Sequence, residues 1–283
     1  LKYFIGRGVL EALGIDAPLR DGDLAARGNF CSVDRNGILT DRRAGRIPSS
    51  ESFPIVETIL STINVPNVEL VVLPVQDHRF VLIARSNELS ANVTGTDPQR
   101  TGATPLPVMP VEPSAQKTAD AFNTFVAEAR ELLSDQPKAN MLLLRGFSKL
   151  PSFPSFAQTY KLNPAAIAAY PMYRGLAQVV GMEVIGTANT FGDEISVLED
   201  HYEDHDFFYI HYKPADAAGE DGNFDAKVEA LEALDEFIPS ILNLKPDAFV
   251  IAGDHATPSI LAGHGWQPVP LLIHSKLTLG EGV

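Results

Sequence analysis

Carboxylate and imidazole side chains gather in the last third of this 283-residue chain. Asp254 and His255 follow Gly253 at the end of the apolar run 249–252, which is typical of a buried strand, and His264 comes nine residues after His255. Asp oxygen and His nitrogen are ligands for zinc, manganese and similar divalent ions. The pattern therefore indicates one wall of a metal site. A surface Asp-His pair followed by an unrelated loop histidine would produce the same spacing.

A second acidic loop lies at residues 213–222. Asp216 and Glu220 are four positions apart, so one helical turn directs both carboxylates the same way. The loop follows the strand-like run 206–211, and ligand-binding loops of open α/β sheets leave the carboxyl ends of strands. We therefore expect this loop to converge with Asp254 and His255. The alternative is an acidic loop exposed to solvent.

Arginines are concentrated near the start of the chain, where Arg42, Arg43 and Arg46 follow an Asn36-Gly37 hairpin turn. A guanidinium group can bind a phosphate or a carboxylate through two parallel hydrogen bonds. The segment thus offers an anion-binding group, although a solvated basic loop would look the same.

The composition limits the possible functions. Twenty-two basic and 36 acidic residues give a net charge of −14, so nucleic acid, which requires a basic surface, is not an expected partner. No apolar run approaches the roughly 18 residues of a membrane span, so we expect no membrane partner. Cys31 is the only cysteine, which excludes an internal disulfide and fits a reducing, cytoplasmic location.

Hydrophobic periodicity predicts the elements that must position these side chains. We predict strands at 23–34, 69–75, 79–85, 141–144, 165–169, 206–211, 248–252 and 269–273. We predict helices at 51–63, 117–134, 172–180 and 193–204. A further short helix ends at Gly14, and a long one starts after Asn223 and kinks or ends at Pro239. Strands and helices alternate after residue 146, which favours βαβ units and a mainly parallel sheet. Residues 48–145 differ in character and suggest a small α/β module of their own.

In this order the motifs resemble the archaeal-type cofactor-independent phosphoglycerate mutases of the alkaline phosphatase superfamily. The resemblance covers nearly the whole chain and rests on residues 6–14 (GRGVLEALG), 27–46 (RGNFCSVD to DRRAGR), 96–98 (TDP), 142–146 (LLLRG), 206–228 (DFFYIHYKPADAAGEDGNFDAKV) and 253–270 (GDHATP to HGWQPVP). It implies an α/β fold: an alkaline-phosphatase-like, mainly parallel sheet with helices on both faces, plus an inserted smaller α/β domain. The metal-binding domain would comprise residues 1–47 and 146–283, and residues 48–145 would form the inserted, substrate-covering domain.

The resemblance also implies the chemistry. Two divalent ions (Mn, Mg, Zn or Co) would bind, one to Asp216, Glu220 and His264, the other partly to Asp254 and His255. A serine would carry the phosphoryl group between 3-phosphoglycerate and 2-phosphoglycerate, so no free 2,3-bisphosphoglycerate is needed. The candidates for holding this small phosphorylated substrate are Arg7, Arg42, Arg43, Arg46, Arg79, Arg145 and Arg174.

Two departures from the family pattern matter. Glu220 stands where the better-known members have histidine, and a carboxylate can ligate the same ion through oxygen. The family's N-terminal Asp-Gly ligand and nucleophilic serine have no counterpart here. We therefore expect the serine upstream of Leu1, and we expect the chain as written to be truncated at its N-terminus and inactive.

Three functions follow as hypotheses. The first is the mutase, which must retain its substrate while the phosphate leaves and returns, and which the arginines favour. The second is a metal-dependent phosphatase or phosphodiesterase of the same superfamily. The third is an inactive form that binds a metal or phosphorylated ligand without turnover. The sequence leaves the oligomeric state open.

Overall fold

The computed structural model describes residues 5–276. In chain order its helices are α1 (Arg7–Gly14), α2 (Ser49–Thr62), α3 (Gln116–Leu133), α4 (Phe156–Tyr160), α5 (Pro171–Val179), α6 (Phe191–His201), α7 (Pro214–Glu220), α8 (Phe224–Asp235) and α9 (Ile238–Asn243). Its strands are β1 (Leu24–Val33), β2 (Leu39–Asp41), β3 (Glu69–Pro74), β4 (Arg79–Arg85), β5 (Met141–Ser148), β6 (Pro164–Ala168), β7 (Glu183–Val184), β8 (Phe207–His211), β9 (Ala248–Ala252) and β10 (Leu271–Ser275).

These elements confirm the predicted strands and helices, with shifts of a few residues at their ends. β5 continues past its predicted end at Leu144 and includes Arg145. The predicted long helix after Asn223 is two helices, because α8 ends at Asp235 and α9 then starts with Pro239 in its first turn. Proline is tolerated there because the first helical N–H groups have no partner within the helix.

The chain forms two compact units. Unit 1 comprises Leu1–Thr159 and Pro171–Gly181, and unit 2 comprises Tyr160–Tyr170 and Met182–Val283. The domain boundaries predicted after residues 47 and 145 both fall inside unit 1. The physical reason is that β1 is hydrogen-bonded to both β4 and β5, so the start of the chain shares a sheet with the segment predicted to be inserted.

The sheet of unit 1 is antiparallel throughout. β1 pairs with β2, β4 and β5, and β4 also pairs with β3. One face carries Leu24, Ala26 and Phe30 of β1, which pack into the main core with residues of α2 and α3. That core contains four phenylalanines with almost no exposed surface, and each stabilises the fold by about 1.5–3 kcal/mol. They are Phe30, Phe80, Phe122 and Phe125.

The opposite face of the same sheet is covered at one end by α1. Val9 and Ala12 pack there against Ala25 of β1 and against β4. Helix α5 crosses α1 at very short range, since a Cβ atom on Gly175 would lie 1.8 Å from the Leu10 carbonyl oxygen. Glycine at this position therefore permits α1 to be clamped between α5 and the sheet.

Unit 2 contains two smaller sheets. β6 pairs in parallel with β7 and β8, as βαβ connections require, whereas β9 and β10 form an antiparallel pair. Among the described strands, parallel pairing is thus confined to this three-stranded sheet. The sequence predicted a mainly parallel sheet, whereas most of the described strand pairs are antiparallel. Between Ile5 and Lys276, no helix is both long and apolar enough to cross a membrane.

Candidate functional site

In unit 2, two loops that follow strands meet as predicted. α7 follows β8 and carries Asp216, and the segment after β9 carries His255. The two approach so closely that a Cβ atom on Gly219 of α7 would lie 2.3 Å from the carbonyl oxygen of Thr257. Any residue other than glycine would force α7 away from the second loop.

A backbone bridge brings the two histidines together. Ala256 and Gly265 form an isolated antiparallel bridge, in which the Gly265 N–H donates to the Ala256 carbonyl at 2.8 Å. The neighbouring residues, His255 and His264, are consequently side by side, and their rings stack with centroids 3.8 Å apart.

Five acidic and imidazole side chains form this cluster. Ligand atoms of Asp216, His255 and His264 all lie within 4.8 Å of one another. Glu220 Oε1 is 3.4 Å from His264 Nε2, and Asp254 Oδ2 is 3.5 Å from His255 Nε2. A zinc-like ion with bonds of about 2.0–2.2 Å needs its ligand atoms only a little closer together than this. One carboxylate and two imidazoles therefore fit a divalent ion after small side-chain movements.

Asp216 is the most strongly supported member of the cluster. The Thr257 hydroxyl donates to Asp216 Oδ1 at 2.5 Å and lies 3.0 Å from His255 Nδ1, while the Lys213 ammonium is bonded to the other carboxylate oxygen. Burial disfavours the charge on Asp216, but the bonds from Lys213 and Thr257 outweigh it and lower the pKa of the carboxyl group. Asp216 is therefore held as a carboxylate, the form that binds a cation.

The end of β8 lies beside this cluster. Burial lowers the pKa of His211 to about 4, the Lys213 charge adding to the effect and the Asp254 and Asp216 charges opposing it. Burial, reinforced by the Asp254 carboxylate, raises the pKa of Tyr209 to about 12. Both side chains are accordingly neutral at pH 7.

In unit 1, polar side chains lie on the face of the sheet that α1 covers only in part. Arg27 and Asn29 alternate along β1 with residues of the main core and are both buried. Arg145 of β5 is the register partner of Arg27, and Arg79 of β4 is the partner of Asn29. We call these four residues, with Arg42, the arginine cluster.

Two buried carboxylates provide counter-charges for the arginine cluster. Glu11 of α1 has no exposed surface and lies 3.3 Å from Arg27 Nη1. Asp97 accepts bonds from Arg42 Nε at 3.0 Å and Nη2 at 2.7 Å, and Arg145 Nη1 lies 3.6 Å from its Oδ2.

The loop that carries Asp97 is fastened to the edge of β5. The Thr96 N–H donates to the Leu144 carbonyl, and the Leu144 N–H donates to the Thr96 hydroxyl, both at 2.8 Å. Asp97 is thereby placed beside Arg145, the residue that follows Leu144. The contact explains how a loop residue can be as well buried as a core side chain.

Positive charge remains in excess around the arginine cluster. Burial, together with the charges of Arg27 and Arg7, lowers the pKa of Arg145 to about 10, although Asp97 opposes the shift. Burial and the charges of Arg79, Arg27 and Arg43 lower the pKa of His78 to about 3. An anion at this face would relieve the repulsion among these cations, so the arginine cluster is suited to bind one.

Comparisons with known proteins place the chain in a family. Residues 1–139 match the family model described as 2,3-bisphosphoglycerate-independent phosphoglycerate mutase. A probable enzyme of that name from Thermosipho melanesiensis is 46% identical over 279 residues, which are 98% of this chain and 69% of the relative. Its counterpart from Aquifex aeolicus is 45% identical over an alignment of 289 positions that covers 99% of this chain and 71% of the relative.

The chain belongs to the 2,3-bisphosphoglycerate-independent phosphoglycerate mutase family.

Solved structures agree with membership of this mutase family. The cofactor-independent phosphoglycerate mutase from Thermoplasma acidophilum is 27% identical with a TM-score of 0.62, covering 99% of this chain and 74% of its own. The PH0037 protein from Pyrococcus horikoshii is 27% identical with a TM-score of 0.75, covering 96% of this chain and 69% of its own. The mixed α/β fold is therefore shared with a named phosphoglycerate mutase.

Within this mutase family member, the structure brings together all five acidic and imidazole residues singled out in the sequence. Among the predicted arginines, Arg42 and Arg145 share Asp97, and Arg79 and Arg7 lie near enough to shift the pKa values of His78 and Arg145. The remaining ones differ in setting. Arg43 and Arg46 are exposed, and Arg174 of α5 lies 3.7 Å from Asp16.

Several residues of these clusters were missed in the sequence. Arg27 and Asn29 carried a usable signal, because an Arg-x-Asn alternation inside a strand places two polar groups on one face. Asp97 belongs to the Thr96-Asp97-Pro98 motif, whose sequence alone does not indicate a contact with arginines. Nothing local distinguished Glu11, which occupies an amphipathic helix and whose burial depends on a distant strand.

Proposed function

We propose that this protein interconverts 3-phosphoglycerate and 2-phosphoglycerate by metal-dependent phosphoryl transfer. The observation that carries the proposal is the convergence of Asp216, His255 and His264, whose ligand atoms all lie within 4.8 Å of one another and could hold a divalent ion. Membership of the phosphoglycerate mutase family supplies the reaction, and the arginine cluster supplies groups that bind anionic substrates. The proposed setting is glycolysis, where this interconversion is a step.

Asp216, Glu220 and His264 would hold one divalent ion, and Asp254 with His255 would hold part of a second. Bound ions of this kind polarise phosphoryl oxygens and activate the attacking oxygen. Mn, Mg, Zn and Co all accept such oxygen and nitrogen ligands. Glu220 makes the first group of ligands more negative than a histidine would, which favours ions that prefer oxygen.

The arginine cluster would hold the phosphate and carboxylate of the substrate. Arg145, Arg42 and Arg79 keep their proposed role from the sequence, and Arg27 joins them. Arg7, whose charge acts on Arg145 from outside the arginine cluster, also keeps its proposed role. Guanidinium groups bind such oxyanions through charge-assisted hydrogen bonds, and their preset spacing limits the entropy lost when the substrate binds. Arg43, Arg46 and Arg174 remain candidates that act from exposed positions or through other partners.

A serine hydroxyl would carry the phosphoryl group, so that it leaves one substrate oxygen and returns to the other. Such transfer needs no free 2,3-bisphosphoglycerate, in keeping with the description of the family. A mutase of this kind must retain the glycerate while the phosphoryl group is on the protein, and the arginine cluster is proposed to retain it.

An assay of the intact gene product with 3-phosphoglycerate and Mn²⁺, coupled to enolase, tests the proposal. We expect 2-phosphoglycerate to form without added 2,3-bisphosphoglycerate, and chelation of the metal to stop the reaction. Formation of 2-phosphoglycerate that resists chelation would contradict the metal-dependent mechanism, and binding without turnover would support the inactive form instead.

Hydrolysis is the second candidate function. It is favoured by the exposure of His264, whose side chain keeps 51% of its surface accessible, so water can reach the proposed ion. A phosphatase or phosphodiesterase would release inorganic phosphate and leave free glycerate. Measuring phosphate and 2-phosphoglycerate in the same reaction therefore separates the two candidates.

A further inference from the structure

Lys227 joins the two loops that carry the proposed metal ligands. It lies in the first part of α8, and its Nζ donates to the carbonyl oxygen of Ala215 at 3.1 Å and to that of Thr257 at 2.9 Å. Ala215 belongs to α7 and Thr257 to the segment after β9. A single ammonium group, which has three N–H donors, thus bridges both sides of the cluster.

Each of the two carbonyl groups belongs to a residue that adjoins or contacts a proposed ligand. Ala215 immediately precedes Asp216, so displacement of its carbonyl moves the Asp216 backbone. Thr257 contacts the cluster directly, because its hydroxyl donates to Asp216 Oδ1 at 2.5 Å and lies 3.0 Å from His255 Nδ1. The two bonds from Lys227 therefore join the backbone segments that carry Asp216 and His255.

The base of Lys227 is itself well fixed. Asn223 caps α8 through a bond from the Ala226 N–H at 3.0 Å, and the Asn223 N–H donates to the Ala218 carbonyl at 2.9 Å. These bonds set the start of α8 relative to α7. The Lys227 side chain accordingly leaves α8 from a defined position, with its ammonium group partly buried between the loops.

We propose that Lys227 is a positioning residue that holds α7 and the 254–257 segment at the separation needed to bind a divalent ion. The inference rests on the metal site of the proposed function. Two opposing effects determine whether loss of Lys227 strengthens or weakens metal binding. A nearby positive charge repels a metal ion, so its removal alone would tighten binding, whereas loss of the two carbonyl bonds would loosen the ligand geometry and weaken binding.

Titration of the metal-free protein with Mn²⁺ by calorimetry shows in which direction the affinity changes. Lys227→Met keeps the aliphatic stem, and we expect it to weaken Mn²⁺ binding by about 10–100-fold, as changes to groups that orient metal ligands do. Lys276→Met is the matched control, since Lys276 is an exposed lysine of the same unit paired with Asp247, and its loss removes the same charge. Unchanged or tighter binding by Lys227→Met would overturn the proposal.

Hydrogen–deuterium exchange of the metal-free protein provides a second reading that does not require the metal. We expect Lys227→Met to speed exchange in residues 214–222 and 255–265 and to leave β1 and β5 unchanged. If the unaltered protein binds no Mn²⁺ in the titration, the proposed metal site fails, and exchange alone then decides whether Lys227 couples the two loops. Exchange rates equal to those of Lys276→Met would refute that coupling.

Should Lys227→Met fail to fold, Lys227→Gln serves as the milder variant. Its amide keeps two N–H donors on a shorter stem, so we expect a weaker loss of Mn²⁺ affinity in the same direction. A Gln variant that folds and binds Mn²⁺ as tightly as Lys276→Met would overturn the proposal in the same way.

Discussion

The arginine cluster of unit 1 and the acidic cluster of unit 2 are built in opposite ways. Arg27, Arg79 and Arg145 stand on the face of a continuous antiparallel sheet, with Arg42 just after β2, whereas the carboxylates and imidazoles lie on loops that follow strands or on α7. Each cluster also contains the opposite charge. Glu11 and Asp97 neutralise part of the arginine cluster, and Lys213 and Lys227 bind the acidic loops.

The difference shows how burial determines the support that a charged site needs. Arg27 lies in a sheet face with only 6% of its surface exposed, so a carboxylate must accompany it. The acidic cluster is more open, and what its loops lack is rigidity, which backbone bonds to a lysine provide. We therefore expect unit 1 to respond to lost counter-charges through stability and unit 2 to respond through ligand affinity.

The largest effect is expected when the buried ion pair of unit 1 is broken. Glu11→Gln removes the carboxylate that faces Arg27, and breaking such a pair reduces the free energy of unfolding by about 3–5 kcal/mol. Urea unfolding followed by circular dichroism, with exchange of β1 amides to identify the unit, measures the loss. Glu131→Gln, an exposed change on α3, is the control. Equal stability of the two variants would mean that Arg27 can be buried without the Glu11 charge.

In unit 2 the corresponding change acts on binding. Asp216→Asn should weaken Mn²⁺ binding by more than about 100-fold, because direct ligands contribute more than the groups that orient them. Calorimetric titration measures the affinity, and Asp200→Asn, an exposed change on α6, is the control for the lost charge. Retained affinity in Asp216→Asn would remove this residue from the ligand set.

A third variant tests whether the two clusters have separate ligands. Arg145→Met should weaken 3-phosphoglycerate binding by about 10–100-fold, since a hydrogen bond to a charged group contributes about 1.5–3 kcal/mol. Its Mn²⁺ affinity should not change. Arg130→Met, an exposed change on α3, controls for the lost charge, and an equal loss of substrate affinity in both variants would argue for long-range attraction rather than contact.

The smallest effects concern pH, and they should run in opposite directions in the two units. Burial and nearby arginines lower the pKa of His78 to about 3. Between that pH and about 6.5, the ordinary pKa of histidine, only the unfolded state binds the proton. Unit 1 therefore loses stability as the pH falls through this range. Burial raises the pKa of Glu194 to about 7 in unit 2, although a bond from the Ala169 N–H opposes the shift. Unit 2 therefore loses stability as pH rises from about 4.5 towards 7.

Stability measured from pH 4 to 8 tests both slopes. His78→Gln should reduce the loss of stability at acid pH relative to His201→Gln, which changes a histidine of α6 whose side chain is 45% accessible. Glu194→Gln keeps the acceptor for the Ala169 N–H, and it should reduce the loss of stability as the pH rises towards 7. Glu199→Gln, an exposed change on α6, is the control. If either variant leaves the pH dependence of stability unchanged, the corresponding buried group does not titrate as its surroundings indicate.

The elements and the acidic cluster were predictable from the sequence because their signals are local. Alternation and helical periodicity place β1, β4 and α3 within a few residues. Asp216 and His255 both follow strands, and that rule alone was enough to expect their loops to meet. The glycine at position 219 and the Ala256–Gly265 bridge then determine how closely they meet, which spacing along the chain does not show.

Only the tertiary structure decided which strands pair and which charges are buried together. The compact units divide the chain at other places than the boundaries predicted after residues 47 and 145, because β1 pairs with β5, which lies far along the chain, and composition does not reveal such pairing. The same holds for Glu11 beside Arg27 and Asp97 beside Arg42 and Arg145. The sequence determined the residue types and the family; the register of one antiparallel sheet decided which of the arginines stand together, because side chains on neighbouring strands meet only when their backbones are aligned.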